Sequence, residues 1–261
     1  MTTEAPRRIR MFAGPNGSGK STVFDELRKS WIGIYVNADD IERDWKQSSI
    51  LELNQFELNA EAAARLPAFL QASPLVGKER LAAATVTMAA TRVSIEGLEI
   101  NSYLAAATAD FIRYELLTAG KSFTFESVMS HPGKVEFLKR AQLDGYRCYL
   151  YFIATDDPEI NVARVEQRVK LGGHPVARER IIERYHKSIQ LLEDAVSATD
   201  RAYVFDNSGD RPVLLAEITG GEQLQICADL LPRWFAESSL WLSFKDAFAQ
   251  QQDVAGDCGA N

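Results

Sequence analysis

The sequence predicts an α/β fold in three layers, a parallel sheet flanked by helices, with a helical insertion. Three observations carry that expectation. Short apolar runs alternate with amphipathic segments over residues 9–45 and again over 105–225, the pattern of parallel strands joined by crossover helices. A glycine-rich turn separates the first apolar run from the first helical one. Between residues 41 and 120 strand signal is nearly absent, and Ala- and Leu-rich stretches replace it. The expected domains are a core of 1–45 with 105–225, an insertion of 46–104, and a C-terminal helix with a frayed tail over 226–261.

Residues 1–8 read as a flexible arm. Ile9, Met11 and Phe12 mark a buried strand, and Val23 to Arg28 a helix. Gly33 to Asn37 reads as a second strand that ends in Ala38-Asp39-Asp40. Glu57 to Leu70 and Glu79 to Arg92 place polar residues at helical spacing, separated by the breaker Ser73-Pro74-Leu75-Val76-Gly77. Tyr103 to Leu117 is a helix that Ala119-Gly120 stops, and Ser122 to Glu126 is a third strand. Lys134 to Leu143 is helical and Gly145 turns the chain. Cys148 to Ile153 is apolar enough for a strand buried on both faces. Pro158 to Leu171 is a basic helix ended by Gly172-Gly173, and Arg178 to Ala195 is another. Ala202 to Asp206 is a fifth strand and Val213 to Thr219 a further short one.

Composition narrows the function. Of 261 residues 46% are hydrophobic and 25% charged, ordinary for a globular protein able to bury a full core. The net charge of −7 offers no bulk attraction to nucleic acid. Cys148, Cys227 and Cys258 are odd in number and far apart, which argues for a reducing compartment and against a disulfide frame or metal site. No apolar run is long enough to span a bilayer, and the polar, basic start lacks a signal-peptide pattern. A cytoplasmic protein without a membrane partner is expected.

Gly14, Gly19, Lys20 and Ser21 fit G-x-x-x-x-G-K-[ST], the phosphate-binding loop. Its glycines let successive N–H groups turn into one hollow that fits a phosphate chain. Lys20 then reaches the β- and γ-phosphates, and the Ser21 hydroxyl holds the Mg²⁺ that accompanies them. The following helix aims its positive end at the anion. In a parallel sheet ligands lie at the C-terminal strand ends, so this loop, Asp39 and Glu126 are expected to share one cleft. Nineteen residues beyond Lys20, Asp39 suits acceptance of a hydroxyl proton. Alternatively Asp39 or Asp40 caps the next helix. Glu126 either binds substrate hydroxyls or a Mg²⁺-bound water, or caps the turn before His131-Pro132-Gly133. Arg164 and Arg168 share a helical face. With Lys170, the Gly172-Gly173 hinge, Arg178, Arg180 and Arg184 they suit a lid closing over phosphates. The alternative is a solvated face paired with Glu159, Glu166, Glu179 and Glu183. His174 and His186 have no partners at ligand spacing.

Taken in order, these residues resemble the zeta-toxin-like small-molecule kinases. The resemblance runs through Ala13 to Thr22, Val36-Asn37-Ala38-Asp39-Asp40-Ile41 and Phe125-Glu126-Ser127. It continues through Ala163-Arg164-Val165, Arg168-Val169, Gly172-Gly173-His174, Val176 and Arg184-Tyr185, and ends with Phe205-Asp206-Asn207-Ser208-Gly209. It implies a P-loop NTPase core like that of nucleoside and shikimate kinases, which uses ATP and Mg²⁺ to phosphorylate a hydroxyl. In zeta toxins that hydroxyl belongs to UDP-N-acetylglucosamine, and an antitoxin protein restrains the enzyme. Carried across, Gly14, Pro15, Asn16, Gly17, Ser18, Gly19, Lys20, Ser21 and Thr22 bind ATP, together with Arg180, Arg184 and Asn207. Ser21 holds the metal, Asp39 is the general base, and Asp40 and Glu126 meet the substrate. Arg164 or Arg168, with one of Arg180 or Arg184, stabilises the γ-phosphoryl group. Zeta toxins place an arginine four residues after the glutamate, where this chain has Ser130. Compact relatives also lack the 46–104 insertion, and both departures fall where the acceptor would bind. Two rivals share the loop: an ATPase switch whose insertion binds a protein, and a nucleic-acid end kinase, which the net acidity disfavours.

Overall fold

The computed structural model describes residues 6–27, 29–77 and 84–245. The expected tail beyond Gln250, Cys258, Arg28, the first residues of the arm and the start of the Glu79–Arg92 helix lie outside them. The chain forms two compact units, Met1–Ile9 with Lys29–Glu126 and Arg10–Arg28 with Ser127–Asn261. In the second unit β10 (Gln223–Ile226), β9 (Val213–Thr219), β8 (Arg201–Asp206), β7 (Arg147–Ala154) and β1 (Arg8–Ala13) neighbour one another in that order, and in the first unit β6 (Phe123–Ser127) neighbours β2 (Ile34–Val36).

In the second unit, β1 (Arg8–Ala13) leads through the glycine-rich loop to α1 (Lys20–Asp25). Its further elements are α7 (Gly133–Leu143), β7 (Arg147–Ala154), α8 (Pro158–Lys170), α9 (Arg178–Gln190), α10 (Leu192–Ser197), β8 (Arg201–Asp206), β9 (Val213–Thr219), β10 (Gln223–Ile226) and α11 (Arg233–Ala236). Strands β7 and β8 are parallel, with Phe152 opposite Val204, whereas β9 and β10 run antiparallel. The expected parallel sheet is therefore corrected at that edge: the short connections from Asp206 to Val213 and at Gly220-Gly221 have room only for hairpin returns. The Arg178–Ala195 helix is two helices, broken at Leu191.

The buried stripe of α8 and α9 explains why they pair. Val162, Val165 and Ile181 interdigitate, with Val169, Val176 and Ile182 packed on them. Helix α8 starts where the expected Pro158 has its fixed φ, and Asp157 accepts from the Glu159 N–H as its cap. Phe12 stacks on Tyr151 at 4.6 Å between centroids, and Tyr151 on Tyr203 at 5.0 Å, under Phe24 and Leu27.

In the first unit, α2 (Lys29–Ile32) precedes β2 (Ile34–Val36), which pairs parallel with β6 (Phe123–Ser127) so that Val36 lies opposite Phe125. Helix α3 (Ala38–Ser48) follows β2, and α6 (Ser102–Thr118) precedes β6, capped by Asn101, which accepts from the Tyr103 and Leu104 N–H groups.

The insertion is not the purely helical segment expected. Glu57–Leu70 is replaced by a 3-10 turn (Leu53–Phe56), α4 (Ala60–Ala63) and α5 (Leu66–Ala72), because Pro67 lacks the N–H a continuous helix would need. The described part of Glu79–Arg92 is not helix. Strands β4 (Thr85–Ala89) and β5 (Arg92–Glu96) form a hairpin, and β3 (Leu51–Glu52) completes a three-stranded antiparallel sheet. Val93 and Ile95 are buried while Arg92 and Glu96 are exposed, a period-two pattern that the alanines between 82 and 90 mask.

Arg113 of α6 is 4% exposed, pairs with Asp110, and lies with its guanidinium carbon 4.8 Å from the centre of the Phe125 ring. Burial pulls it down to about 10. Asp110→Ala removes that carboxylate from a buried cation and is expected to destabilise the fold by about 3 kcal/mol, the low end for such a loss because the Phe125 ring remains. Denaturant unfolding measures it.

Candidate functional site

The loop between β1 and α1 is held from several directions. The Gly14 N–H donates to the Ser127 carbonyl at 3.2 Å, and Lys20 Nζ donates back to the Gly14 and Pro15 carbonyls at 3.0 and 3.1 Å. Gly14 (φ 145°) and Gly19 (φ 84°) must be glycine on two counts. Both lie in the positive-φ region, and a Cβ would strike the Ile153 carbonyl at Gly14 and the Asn207 side-chain amide at Gly19. Ser18 is fully buried and its Oγ has no hydrogen-bond partner among the described residues, an orphan donor within the loop. Ser21 and Thr22 are exposed on the first turn of α1, which Gly19 begins without a side-chain cap.

Around the loop, α8, α9 and the end of β8 contribute side chains. Asn161, fully buried, donates to the Asn16 carbonyl at 2.7 Å and accepts from the Thr155 hydroxyl. Arg184 donates to Asn16 Oδ1 at 3.1 Å, and the Tyr185 hydroxyl donates to the Thr155 carbonyl at 2.7 Å. Asn207 donates to the Ser18 carbonyl at 2.9 Å, and its own carbonyl accepts from Arg164 at 2.7 Å. Arg164 also reaches the Gly209 carbonyl. Of the expected lid arginines, Arg164 and Arg184 are thus brought to the loop and its brace. Arg168 is exposed and donates to the His174 carbonyl, Arg180 is exposed, and Arg178 pairs with Glu159. Ser130 is half-buried on the segment after β6.

A second set of groups gathers within the first unit, where β2 meets β6. The Tyr35 hydroxyl donates to Glu126 Oε1 at 2.5 Å and accepts from Asn37 Nδ2 at 3.1 Å. Burial, and then the Glu126 carboxylate beside it, hold the Tyr35 hydroxyl above the ordinary phenol range, so it stays the donor. Asn37 is the cap of α3: its Oδ1 accepts from the Asp39 N–H at 2.9 Å. Asp39, exposed, and Asp40, paired with Arg43 at 2.6 Å, follow in the first turn. The cap expected of Asp39 or Asp40 thus belongs to Asn37.

Asn161, Thr155, Tyr35 and Asn37 are absent from the sequence-based site. An asparagine beside the apolar pair Val162 and Val165, on the buried stripe of a helix, was the available sign for Asn161.

Residues 105–214 match the family model described as Zeta toxin. Over that span the chain is zeta-toxin-like. An uncharacterized protein of Haemophilus influenzae is 36% identical over 63 residues, which is 24% of this chain and 45% of that relative, so the match covers less than half of its length. Among solved structures, a chain of the PezAT chromosomal toxin–antitoxin system of Streptococcus pneumoniae superposes with a TM-score of 0.50 at 14% identity, covering 97% of this chain and 88% of its own. A structure of AvrRxo1-ORF1 with AvrRxo1-ORF2 and sulphate ions gives a TM-score of 0.49 at 12% identity, over 85% of this chain and 61% of that one. At such identity the PezAT likeness establishes the fold. The zeta-toxin-like span contains α6, β6, the lid helices and Asn207. The phosphate-binding loop and Asp39 lie before it.

Among the described residues no helix is long and apolar enough to cross a membrane, and no three His, Cys, Asp or Glu side chains gather as metal ligands.

Proposed function

We propose that this protein is an ATP-dependent kinase that transfers the γ-phosphoryl group to a hydroxyl of a small molecule. The observation that carries the reading is the braced glycine loop, whose residue pattern and backbone suit a polyphosphate. Residues Gly14 to Thr22 bind the triphosphate, and Lys20 moves from the Gly14 and Pro15 carbonyls to the phosphoryl oxygens. The exposed Ser21 hydroxyl, a hard oxygen donor, would hold Mg²⁺ supplied with the nucleotide, and the ion would there offset phosphate charge. Arg164 and Arg184, with Arg168 and Arg180 on the same helix pair, neutralise charge on the transferring group.

Asp39 accepts the hydroxyl proton, and Asp40 and the Tyr35–Glu126 pair orient the acceptor. A nucleotide sugar such as UDP-N-acetylglucosamine is the acceptor class to which the zeta-toxin-like span points. Ser130 takes part in acceptor contact, where the family's arginine is missing. The proposed division keeps 1–45 with 105–225 as catalytic core, 46–104 as an insertion and 226–261 as a C-terminal segment. The PezAT likeness supports an antitoxin protein as partner, and a cytoplasmic location follows from the same reading.

Incubation with γ-labelled ATP and either purified UDP-N-acetylglucosamine or a metabolite extract tests the proposal. A labelled, phosphatase-sensitive small molecule is the expected result. ATP consumption that no small hydroxyl compound accelerates would remove the kinase reading.

A further inference from the structure

We infer that Asn161 and Asn207 are positioning residues that set the phosphate-binding loop for nucleotide by tying its carbonyls outward. The inference rests on the nucleotide site proposed above and assigns it two residues that need not touch the ligand. A loop that binds an anion through N–H groups must keep its own carbonyl oxygens, which carry the opposite partial charge, out of the hollow. Four carbonyls of the loop are held. Lys20 Nζ takes those of Gly14 and Pro15, Asn161 Nδ2 that of Asn16 at 2.7 Å, and Asn207 Nδ2 that of Ser18 at 2.9 Å.

The lysine bonds must break when its ammonium turns to phosphate, whereas the two amide bonds come from buried side chains fixed elsewhere. Asn161 is oriented by the Thr155 hydroxyl on its Oδ1, and Asn207 by its N–H on the Ala154 carbonyl at 2.8 Å and by Arg164 on its own carbonyl. In a trans peptide the N–H points opposite the C=O of the same unit, so holding the carbonyls of Asn16 and Ser18 outward aims the N–H groups of Gly17 and Gly19 the other way. Asn207, expected to contact ATP, acts in this inference through the loop as well.

Leucine at either position keeps the branched heavy-atom skeleton, adds some bulk and removes the donor. Asn161→Leu and Asn207→Leu are each expected to weaken ATP binding about tenfold by calorimetry. They should raise the KM for ATP by a similar factor while kcat at saturating ATP falls less than threefold. Ser188→Ala, which removes a buried α9 hydroxyl that has no hydrogen-bond partner among the described residues, should leave the melting temperature unchanged or raise it and leave ATP affinity alone. Unchanged ATP affinity in the folded leucine variants overturns the inference. Should neither fold, Thr155→Val decides: it frees the Asn161 amide to rotate and should weaken ATP binding severalfold, and an unchanged affinity overturns the inference there too. A wild-type protein without ATP binding would remove the nucleotide site itself, and this inference with it.

Discussion

Lys20→Met is expected to lower phosphoryl transfer about 10³-fold, the scale on which one well-placed charge acts on a transferring phosphoryl group. Two effects compete in this variant. Loss of the ammonium removes charge from the triphosphate. Loss of its bonds to the Gly14 and Pro15 carbonyls loosens the empty loop at Gly14, while the Pro15 carbonyl keeps the Ser18 N–H. The first acts in the transition state and the second on nucleotide binding, so kcat and the KM for ATP separate them. Lys20→Arg keeps the charge, but the planar guanidinium cannot fold back on two adjacent carbonyls as a compact ammonium does. It should recover less than a tenth of the wild-type rate. Turnover of Lys20→Met within tenfold of wild type would remove the lysine from the chemistry.

What the sequence disclosed about this fold depended on how local each signal was. The glycine loop, Asn37 to Asp40 and the strand at Cys148–Ile153 are contiguous, and their residue types have one physical reading. The strands of the insertion were hidden because Thr85, Thr87, Ser94 and Arg92 alternate with apolar neighbours inside an alanine-rich context that also suits helix. Nothing local distinguished the two until burial of Val93 and Ile95 chose the sheet. The site divided in the same way. Lys20 and Ser21 are legible from the motif. Asn161, 145 positions from the carbonyl it holds, and Asn207, 189 positions from its own, could be paired with the loop only once the chain was folded. Arg164 and Arg184 were legible as cations near phosphates, but their bonds to the Asn207 carbonyl and Asn16 side chain were not.

Asp39→Asn should bind ATP as the wild type does and lose transfer by 10²- to 10⁴-fold, about what a positioned base supplies. The substitution separates catalysis from helix capping. Had Asp39 been the cap of α3, its exchange would cost stability as well as any chemistry, and asparagine, itself a good cap, would hide the difference. The cap is Asn37, whose Oδ1 already holds the Asp39 N–H. The Asp39 carboxylate also has a favourable place near the positive end of α3, which for an exposed group amounts to about 0.3–1 kcal/mol. A melting temperature lowered by a few degrees with turnover intact would therefore identify a helix-dipole residue and remove the base from the mechanism. A melting temperature near that of wild type, ATP affinity preserved and transfer lost would leave proton acceptance as the remaining account of the side chain. Asn37→Ala makes the complementary measurement. It removes the cap and the amide on Tyr35, and should cost about 1 kcal/mol of stability while the Asp39 carboxylate itself stays in place.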